Sequence, residues 1–291
     1  MTLPYLDLPP AVVHTVLESP TGPLAVLDGA PTGTAGSSAL LVPGFTGSKE
    51  DFAWLLGSLV EAGHRVVALD LRGQLDSPGM EDPAAYAVPA LAADVLHVVD
   101  WMGTGPVHVV GHSFGGFVAR RAVIERSAAF RSLTLLASGP AGITGQRAVW
   151  LRRLRSVLAR GGVQLLWEAT EALSAGDPRL AARSQEEKAF RRRQFLGTHP
   201  VAMRVMGEEL LDEPDAVAEL AATGVPVLVG HGVEDDAWPE EVQRAMAAAL
   251  DARYVALPAA AHAPMIEAPE VTARALLEFW AEVERGVPGS V

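Results

Sequence analysis

The sequence predicts an α/β fold, with a mostly parallel central sheet, helices on both faces and an inserted helical cap. Three observations lead to this fold class. Short apolar segments rich in β-branched residues alternate with longer amphipathic segments in both halves of the chain. The apolar segments are continuous, which is typical of strands buried on both faces of a parallel sheet. Between the two halves, residues 143–222 contain no strand pattern.

The first half shows the alternation most clearly. The predicted strands are ALLVPG (39–44), RVVALDL (65–71), PVHVVG (106–111) and SLTLLAS (132–138). The predicted helices are SKEDFAWLLGSLVEAG (48–63), VPALAADVLHVVDWMG (88–103) and FGGFVARRAVIERS (114–127). Because parallel strands need crossover connections, each helix is expected to cover one face of the sheet. Two earlier segments, 11–18 and 23–29, are expected to lead as antiparallel strands.

The alternation stops after residue 138 and resumes near residue 226. The intervening segment is predicted to be a helical cap, since a structureless loop of that length is rare in a compact domain. One of its helices is expected to start at Asp177-Pro178, with aspartate as N-cap and proline in the first turn. The resumed elements are PVLVGHG (226–232), PEEVQRAMAAALD (239–251), RYVALP (253–258) and PEVTARALLEFWAEVE (269–284). We therefore predict a core of residues 1–142 and 223–291 and a cap of residues 143–222.

Composition and charge exclude several classes of function. The 291 residues are 49% hydrophobic and 20% charged, which is the profile of a chain that can bury a sizeable core. The net charge of −12 argues against nucleic acid or an anionic membrane as a partner, because phosphates would be repelled. The chain has no cysteine, which excludes disulfides, thiolate metal sites and a cysteine nucleophile.

Signals for targeting and for cofactors are not found in the sequence. The first residues, MTLPYLDLPP, lack the basic and apolar regions of a signal peptide, and no apolar run reaches the length of a membrane helix. We expect a cytoplasmic protein. No HxxxH pair occurs on a predicted helix and no glycine-rich phosphate loop follows the first strands, so no metal and no cofactor are expected. The expected partner is a small-molecule substrate, and the chain is expected to be a monomer or a homodimer.

The segment GHSFGG (111–116) matches the pattern G-x-S-x-G between a predicted strand and a predicted helix. In that setting Ser113 lies on a sharp turn at the carboxyl end of the sheet, where open α/β folds bind ligands. The flanking glycines allow strand and helix to approach closely. The first N–H groups of the new helix point at the same place. We predict that Ser113 is a nucleophile.

A serine hydroxyl needs a base and an orienting acid to react at neutral pH. Of the eight histidines, only His262 follows the last predicted strand within a loop. The others are expected to be structural, with His112 pointing into the turn and His231 supporting the site at most. The acid is expected in VEDDAWP, directly after the strand PVLVGHG, which leaves Glu234, Asp235 and Asp236 as candidates.

These motifs resemble those of the α/β-hydrolase superfamily, in its cap-bearing group. The resemblance covers roughly residues 20–285, through PGFTGSKEDF (43–52), DLRGQLDS (70–77), GHSFGG, GHGVEDDAWP (230–239) and AHAPMIEAPE (261–270). It implies the α/β-hydrolase fold and a triad of Ser113, Asp235 and His262, in the chain order of that fold. A register shifted by one residue would select Asp236 instead of Asp235.

The same resemblance implies an oxyanion hole formed by the backbone N–H groups of Phe45 and Phe114. Their side chains are also candidates for the substrate floor. The family usually has His-Gly in the first of these loops, whereas this chain has Pro43-Gly44. That departure affects the surroundings of the loop and leaves the backbone donor in place.

The expected activity is hydrolysis of an ester, lactone or thioester, or of a C–C bond beside a ketone, through an acyl-enzyme on Ser113. Three alternatives use the same fold: a cofactor-free perhydrolase or haloperoxidase-like enzyme, a biosynthetic acyltransferase or cyclase, and a ligand-binding relative with negligible turnover. Apolar cap residues of large size favour an apolar or aromatic substrate. The predicted pocket residues are Trp150, Trp167, Phe195, Met203 and Met206.

Overall fold

The computed structural model describes residues 8–33, 35–174, 176 and 184–286. Eight strands of this part of the chain form a single sheet. They are β1 Val12–Leu17, β2 Leu24–Gly29, β3 Ser38–Val42, β4 Arg65–Leu69, β5 Val107–His112, β6 Phe130–Leu136, β7 Val227–Gly232 and β8 Arg253–Leu257. Their order across the sheet is β1-β2-β4-β3-β5-β6-β7-β8.

The sheet is parallel except at its amino-terminal edge. β1 pairs antiparallel with β2, and β2 pairs antiparallel with β4, which confirms the two leading antiparallel strands. The pairs from β4 to β8 are all parallel. Strands β3, β5 and β7 are buried along their whole length, which explains their continuous apolar sequences.

Helices cover both faces of the sheet, as the sequence predicts. Their bounds are α1 Ala53–Glu61, α2 Val88–Met102, α3 Phe114–Glu125, α4 Gly145–Ser174, α5 Gln185–Leu196, α6 Pro200–Asp212, α7 Val217–Ala221, α8 Glu240–Ala249, α9 Pro264–Glu267 and α10 Pro269–Glu284. One apolar core lies between the sheet and helices α2, α3 and α8. A second lies on the opposite face, against α1 and α10. The predicted α/β class with a mostly parallel sheet is therefore confirmed.

Helices α4 to α7 lie between β6 and β7, and the described part of residues 143–222 contains no strand. Helix α4 is interrupted at Gly161 and Gly162, where the backbone leaves the helical region. Helix α5 begins after Ser184, whose hydroxyl accepts a hydrogen bond from the N–H of Glu187. The helix start predicted at Asp177-Pro178 lies outside the described residues.

The two ends of this helical insert are joined to the core through one buried side chain. Arg120 on α3 donates hydrogen bonds to the carbonyls of Gly139 and Pro140, which precede the insert. It also forms an ion pair of 3.0 Å with Glu213, which follows α6. Apolar residues of α4 and α6 join the core that α2 and α3 form, so the insert packs as a continuation of that core.

Among the described residues, no helix has both the length and the apolar character that a membrane span requires.

Candidate active site

Ser113 lies in the turn between β5 and α3, with φ 51° and ψ −119°. A positive φ is rare for a residue with a side chain and places the hydroxyl at the top of the turn. The N–H of Ser113 donates to the carbonyl of Leu136 in the neighbouring strand, which holds the strained backbone in place. The serine is thus presented at the carboxyl end of the sheet, as the motif predicts.

The glycines around Ser113 are required by close backbone contacts. A Cβ atom on Gly111 would lie 2.4 Å from the carbonyl oxygen of Gly115, across the turn. A Cβ atom on Gly115 would lie 2.4 Å from the carbonyl oxygens of Val42 and Pro43 in the adjacent strand and loop. A side chain at either position would require a shift of the sheet, because the atoms that it would overlap belong to the backbone.

We expect Gly115→Ala to lower the free energy of unfolding by about 3 kcal/mol or more, because the added methyl group overlaps this backbone. Gly57→Ala is the control, since Gly57 lies within α1 and its added Cβ would meet only Pro9 at 3.6 Å. That substitution should leave stability unchanged or raise it by up to about 1 kcal/mol. Urea unfolding of both variants measures the difference, and equal stabilities would contradict this account of the turn.

His262 lies in the loop between β8 and α9. Its Nε2 atom is 3.0 Å from Ser113 Oγ. The carboxylate of Glu267 accepts hydrogen bonds from the N–H groups of Ala261 and Ala263, at 2.7 and 3.1 Å. Since these residues flank His262 on both sides, Glu267 fixes the backbone from which the imidazole extends.

Asp235 contacts the other nitrogen of the same imidazole. His262 Nδ1 lies 2.9 Å from Asp235 Oδ1, and the side chain of Asp235 is fully buried. Burial by itself raises the pKa of Asp235, but hydrogen bonds from His262 and from the Ala237 N–H outweigh burial and lower it. The aspartate is therefore ionised at neutral pH and fixes the imidazole in one orientation.

Asp236, the alternative acid, points away from the imidazole. Its side chain is 73% exposed and forms a 2.5 Å ion pair with Arg147. The third candidate, Glu234, follows β7 on the loop that carries Asp235, and its N–H donates to the carbonyl of Ala260. The structure therefore brings Ser113, His262 and Asp235 together. Of the two adjacent aspartates that the sequence leaves as candidates, Asp235 is the one that contacts His262.

His112, next to Ser113, supports the site through the backbone of His262. Its Nε2 atom donates to the backbone carbonyl of His262 at 2.7 Å. Burial and the nearby His262 lower the pKa of His112 to about 3, so the imidazole stays neutral. It therefore links the turn of Ser113 to the loop of His262. His231 bonds the Tyr254 hydroxyl at 2.5 Å and does not contact the three residues.

The two predicted oxyanion donors belong to the segments that follow two neighbouring strands, β3 and β5. Phe114 is the first residue of α3, where backbone N–H groups have no partner within the helix. Phe45 follows β3, the strand adjacent to β5. Within the described chain, neither N–H donates a hydrogen bond to a protein atom. Both remain available for a ligand.

Hydrogen bonds with the segment that follows β4 hold the loop of Phe45 in place. Gln74 Nε2 donates to the Gly44 carbonyl at 2.9 Å. Asp70 accepts hydrogen bonds from the N–H and Nζ of Lys49, both at 2.7 Å, and the Lys49 side chain is fully buried. Burial lowers the pKa of a lysine, but here the carboxylates of Asp70 and Glu50 outweigh it and raise the pKa above its ordinary value. The lysine therefore stays charged.

A cavity of about 310 Å³ opens onto Ser113 and His262. Core residues from the loops of Phe45 and Ser113 form its floor, and cap helices form its walls. The apolar residues of the cap that line it are Ile143, Trp150, Leu151, Leu158, Leu166, Trp167, Phe195, Met203 and Leu210. Four of the five predicted pocket residues, Trp150, Trp167, Phe195 and Met203, are among them.

Met206 does not line the cavity. It lies on α6, three residues after Met203, and is completely buried in the main core. Residues 203, 207 and 210 of this helix line the cavity, which places Met206 on the adjacent stripe, toward the sheet. The Phe114 side chain also differs from expectation, since it is buried against Phe117, and of the two phenylalanines only Phe45 lines the cavity.

The model of the alpha/beta hydrolase family matches residues 39–275. The chain belongs to the alpha/beta hydrolase family. This membership confirms the resemblance found in the sequence motifs.

Similar proteins of this family have several activities. The proposed carbamate hydrolase RutD of Variovorax paradoxus is 31% identical over 258 residues, 87% of this chain and 95% of the relative. The enol-lactonase of Burkholderia xenovorans LB400 has a TM-score of 0.79 at 22% identity, over 92% of this chain and 100% of that chain. A carboxylesterase structure from the archaeon Nitrososphaera gargenis has a TM-score of 0.78 at 21% identity, over 94% and 100%. The last two likenesses show the fold.

The cavity of this alpha/beta hydrolase also has polar parts that sequence patterns do not indicate. Asp51 lines the cavity with both carboxylate oxygens occupied, one by Gln194 Nε2 at 2.8 Å and one by the Ser48 N–H at 3.2 Å. Burial raises the pKa of Asp51, and nearby Arg191 opposes this rise. Gln194, on α5, thus joins the cap to the loop of Phe45.

Three supporting residues of the hydrolase were missed by sequence reasoning: Gln74, Gln194 and Glu267. Gln74 lies within the motif DLRGQLDS and Glu267 within AHAPMIEAPE, but neither motif indicates a role for these positions. Gln194 directly follows the three arginines at 191–193, a pattern that is typical of a solvated helix face. Only its contacts with Ser48 and Asp51 reveal its role.

Proposed function

We propose that this alpha/beta hydrolase cleaves a carboxylic ester, lactone or thioester, or a C–C bond beside a ketone, in a small and mainly apolar substrate. The reaction would proceed through an acyl-enzyme on Ser113. The observation that carries this proposal is the continuous chain of contacts from Ser113 Oγ through His262 to Asp235, at 3.0 and 2.9 Å, beside a cavity.

In the first step, Ser113 Oγ attacks the substrate carbonyl while His262 Nε2 accepts its proton. The N–H at Nδ1 of His262 donates to Asp235, which leaves the lone pair of Nε2 directed at the hydroxyl. The imidazolium that forms is stabilised by the buried carboxylate of Asp235. His262 then returns the proton to the leaving group, and water repeats the sequence on the acyl-enzyme.

The charge that develops on the carbonyl oxygen is stabilised by the N–H groups of Phe45 and Phe114. Such donors are aligned before the reaction begins, so no reorganisation is needed as charge develops. The amino-terminal end of α3, a helix of 12 residues, adds its positive dipole at the same position. Together these groups favour the tetrahedral intermediate over the bound substrate.

The cavity favours an apolar acyl group of moderate size. Its walls carry two tryptophans, one phenylalanine and several aliphatic residues of the cap. The rings of Trp167 and Phe195 pack with their centroids 5.3 Å apart, which gives the wall a rigid aromatic surface. Transfer of apolar substrate atoms from water to this surface supplies binding energy.

A series of p-nitrophenyl esters tests the substrate class. We expect kcat/KM to rise about tenfold from acetate to butyrate, because each buried methylene contributes about 0.8 kcal/mol. The release of p-nitrophenol under steady-state conditions measures this series. Preference for a short, charged ester such as the p-nitrophenyl monoester of succinate, with activity falling as acyl length grows, would refute the apolar substrate.

A carbamate is the second candidate substrate, because the relative of 31% identity from Variovorax paradoxus is a proposed carbamate hydrolase. The same three residues would attack the carbamate carbonyl. p-Nitrophenyl N-butylcarbamate and p-nitrophenyl hexanoate, whose acyl chains have the same number of non-hydrogen atoms, separate the two candidates. Faster turnover of the carbamate, rather than slow accumulation of a stable carbamoyl-enzyme, would favour the second candidate.

The other three alternatives from the sequence stay predictions, and each has its own assay. Peroxide-dependent halogenation that exceeds ester cleavage would identify a haloperoxidase-like enzyme. Product formed with an added alcohol or amine in preference to water would identify an acyltransferase. Single-turnover acylation without a steady-state rate would identify a ligand-binding relative.

A further inference from the structure

Gln74 is a completely buried side chain with both ends of its amide in use. Its Nε2 atom donates to the carbonyl oxygen of Gly44 at 2.9 Å, and its Oε1 atom accepts from the N–H of Leu71 at 3.1 Å. The second bond fixes the amide within its own loop. The bond to Gly44 therefore joins the loop of Gln74, which follows β4, to the loop of Phe45, which follows β3.

The bond acts on the peptide unit that carries an oxyanion donor. The carbonyl of Gly44 and the N–H of Phe45 belong to one planar group, and in a trans peptide they point in opposite directions. A donor held against the carbonyl oxygen therefore sets the direction of the N–H on the other side. It also polarises the peptide, which makes the N–H a stronger donor.

The turn that contains Phe45 needs this external support. The Gly44 carbonyl accepts a second hydrogen bond, from the Gly47 N–H at 3.0 Å, which closes the turn. That turn places Thr46 at φ 59°, a region that is unfavourable for a β-branched residue. Gly44 itself packs against His112, since a Cβ atom there would lie 2.9 Å from Nδ1 of that imidazole. The turn thus holds a strained conformation, and relaxation would rotate the Gly44–Phe45 peptide.

We propose that Gln74 is a positioning residue that aligns the Phe45 N–H for the oxyanion of the tetrahedral intermediate. This inference rests on the proposed function, in which Ser113 forms that intermediate. Gln74 acts only through the Gly44–Phe45 peptide and touches no reacting atom. It therefore stabilises the transition state and leaves binding of the ground-state substrate unchanged.

Gln74→Met tests the proposal by keeping the length of the side chain and removing its hydrogen bonds. Because loss of a whole oxyanion donor costs about 10²–10³ in rate, we expect a misaligned donor to lower kcat about tenfold. KM for p-nitrophenyl butyrate should stay within about twofold. The Ki of an alkyl trifluoromethyl ketone, which forms a hemiketal oxyanion on the serine, should rise about tenfold as well.

Gln243→Met is the matched control. Gln243 is also completely buried, and its Nε2 atom donates to the backbone carbonyl of Trp238 at 3.1 Å. Gln74→Met loses two buried hydrogen bonds and Gln243→Met loses one, so both variants should lower the melting temperature, the first by more than the second. Only the variant at position 74 should lose affinity for the trifluoromethyl ketone. Should Gln74→Met fail to fold, the closer isostere Gln74→Glu is used, with the same expected kcat and Ki changes at pH 8.

The proposal is overturned if the Ki of the trifluoromethyl ketone is unchanged at position 74, if KM rises while kcat is kept, or if Gln243→Met has the same kinetic effect. Failure of the proposed function has a different signature. In that case the trifluoromethyl ketone would inhibit neither the unsubstituted protein nor the variants.

Discussion

Ser113→Ala is expected to lower kcat/KM on p-nitrophenyl butyrate by about 10⁴-fold or more. The methyl group cannot attack the carbonyl, so only substrate binding and the oxyanion donors remain to accelerate the reaction. A fluorophosphonate probe, which reacts with activated serines, should label the unsubstituted protein and not the variant. Steady-state kinetics and intact mass measure the two effects.

Ser138→Ala is the control for this substitution. Ser138 is a completely buried serine directly after the neighbouring strand β6, and its hydroxyl has no hydrogen-bond partner among the described residues. Its removal should change neither turnover nor labelling by more than about twofold. Labelling that persists in Ser113→Ala would show that another residue is the nucleophile and would refute the proposed mechanism.

Asp235→Asn is expected to lower kcat by about 10³- to 10⁴-fold, with little change in KM. The amide can donate a hydrogen bond to Nδ1, which would favour the imidazole tautomer with its proton on Nε2, facing Ser113. That tautomer cannot accept the proton of the serine hydroxyl. The loss also removes the buried negative charge that stabilises the imidazolium.

Asp236→Asn provides the matched comparison one residue away. Its carboxylate is exposed and pairs with Arg147, and such surface pairs contribute about 0–1 kcal/mol to stability. We expect kcat within about twofold of the unsubstituted value. Equal losses in the two variants would mean that the loop after β7 moves as a unit and that the contact of Asp235 with His262 does not act in catalysis.

Sequence patterns determined the class of the fold and the position of the turn that carries Ser113. Continuous apolar segments marked the buried strands, and the two leading segments pair antiparallel as expected. These features depend on local periodicity and on turn chemistry, which a short stretch of residues carries by itself. The choice of His262 followed from its position after the last strand, since carboxyl ends of parallel strands share one edge of the sheet.

Residues whose roles depend on side-chain direction were harder to predict. Met203 and Met206 both lie on α6 and both are apolar, yet only Met203 reaches the cavity. Two residues three positions apart on a helix differ by about 60° in the direction of their side chains. Only the packing of α6 against the core defines which of these directions faces the cavity. Asp235 and Asp236 differ for a similar reason, because adjacent residues of a loop point in different directions.

The sequence by itself determined which loops carry Ser113, Asp235 and His262, while the tertiary structure decided which loops touch. Strand β3 lies between β4 and β5 in the sheet. This order places the loop of Phe45 between the loop of Gln74 and the turn of Ser113, although β4 and β5 are separated along the chain by a complete helix. Contacts between loops that are distant in sequence follow from strand order, which no local periodicity encodes, and the support that Gln74 provides could therefore be recognised only in the folded chain.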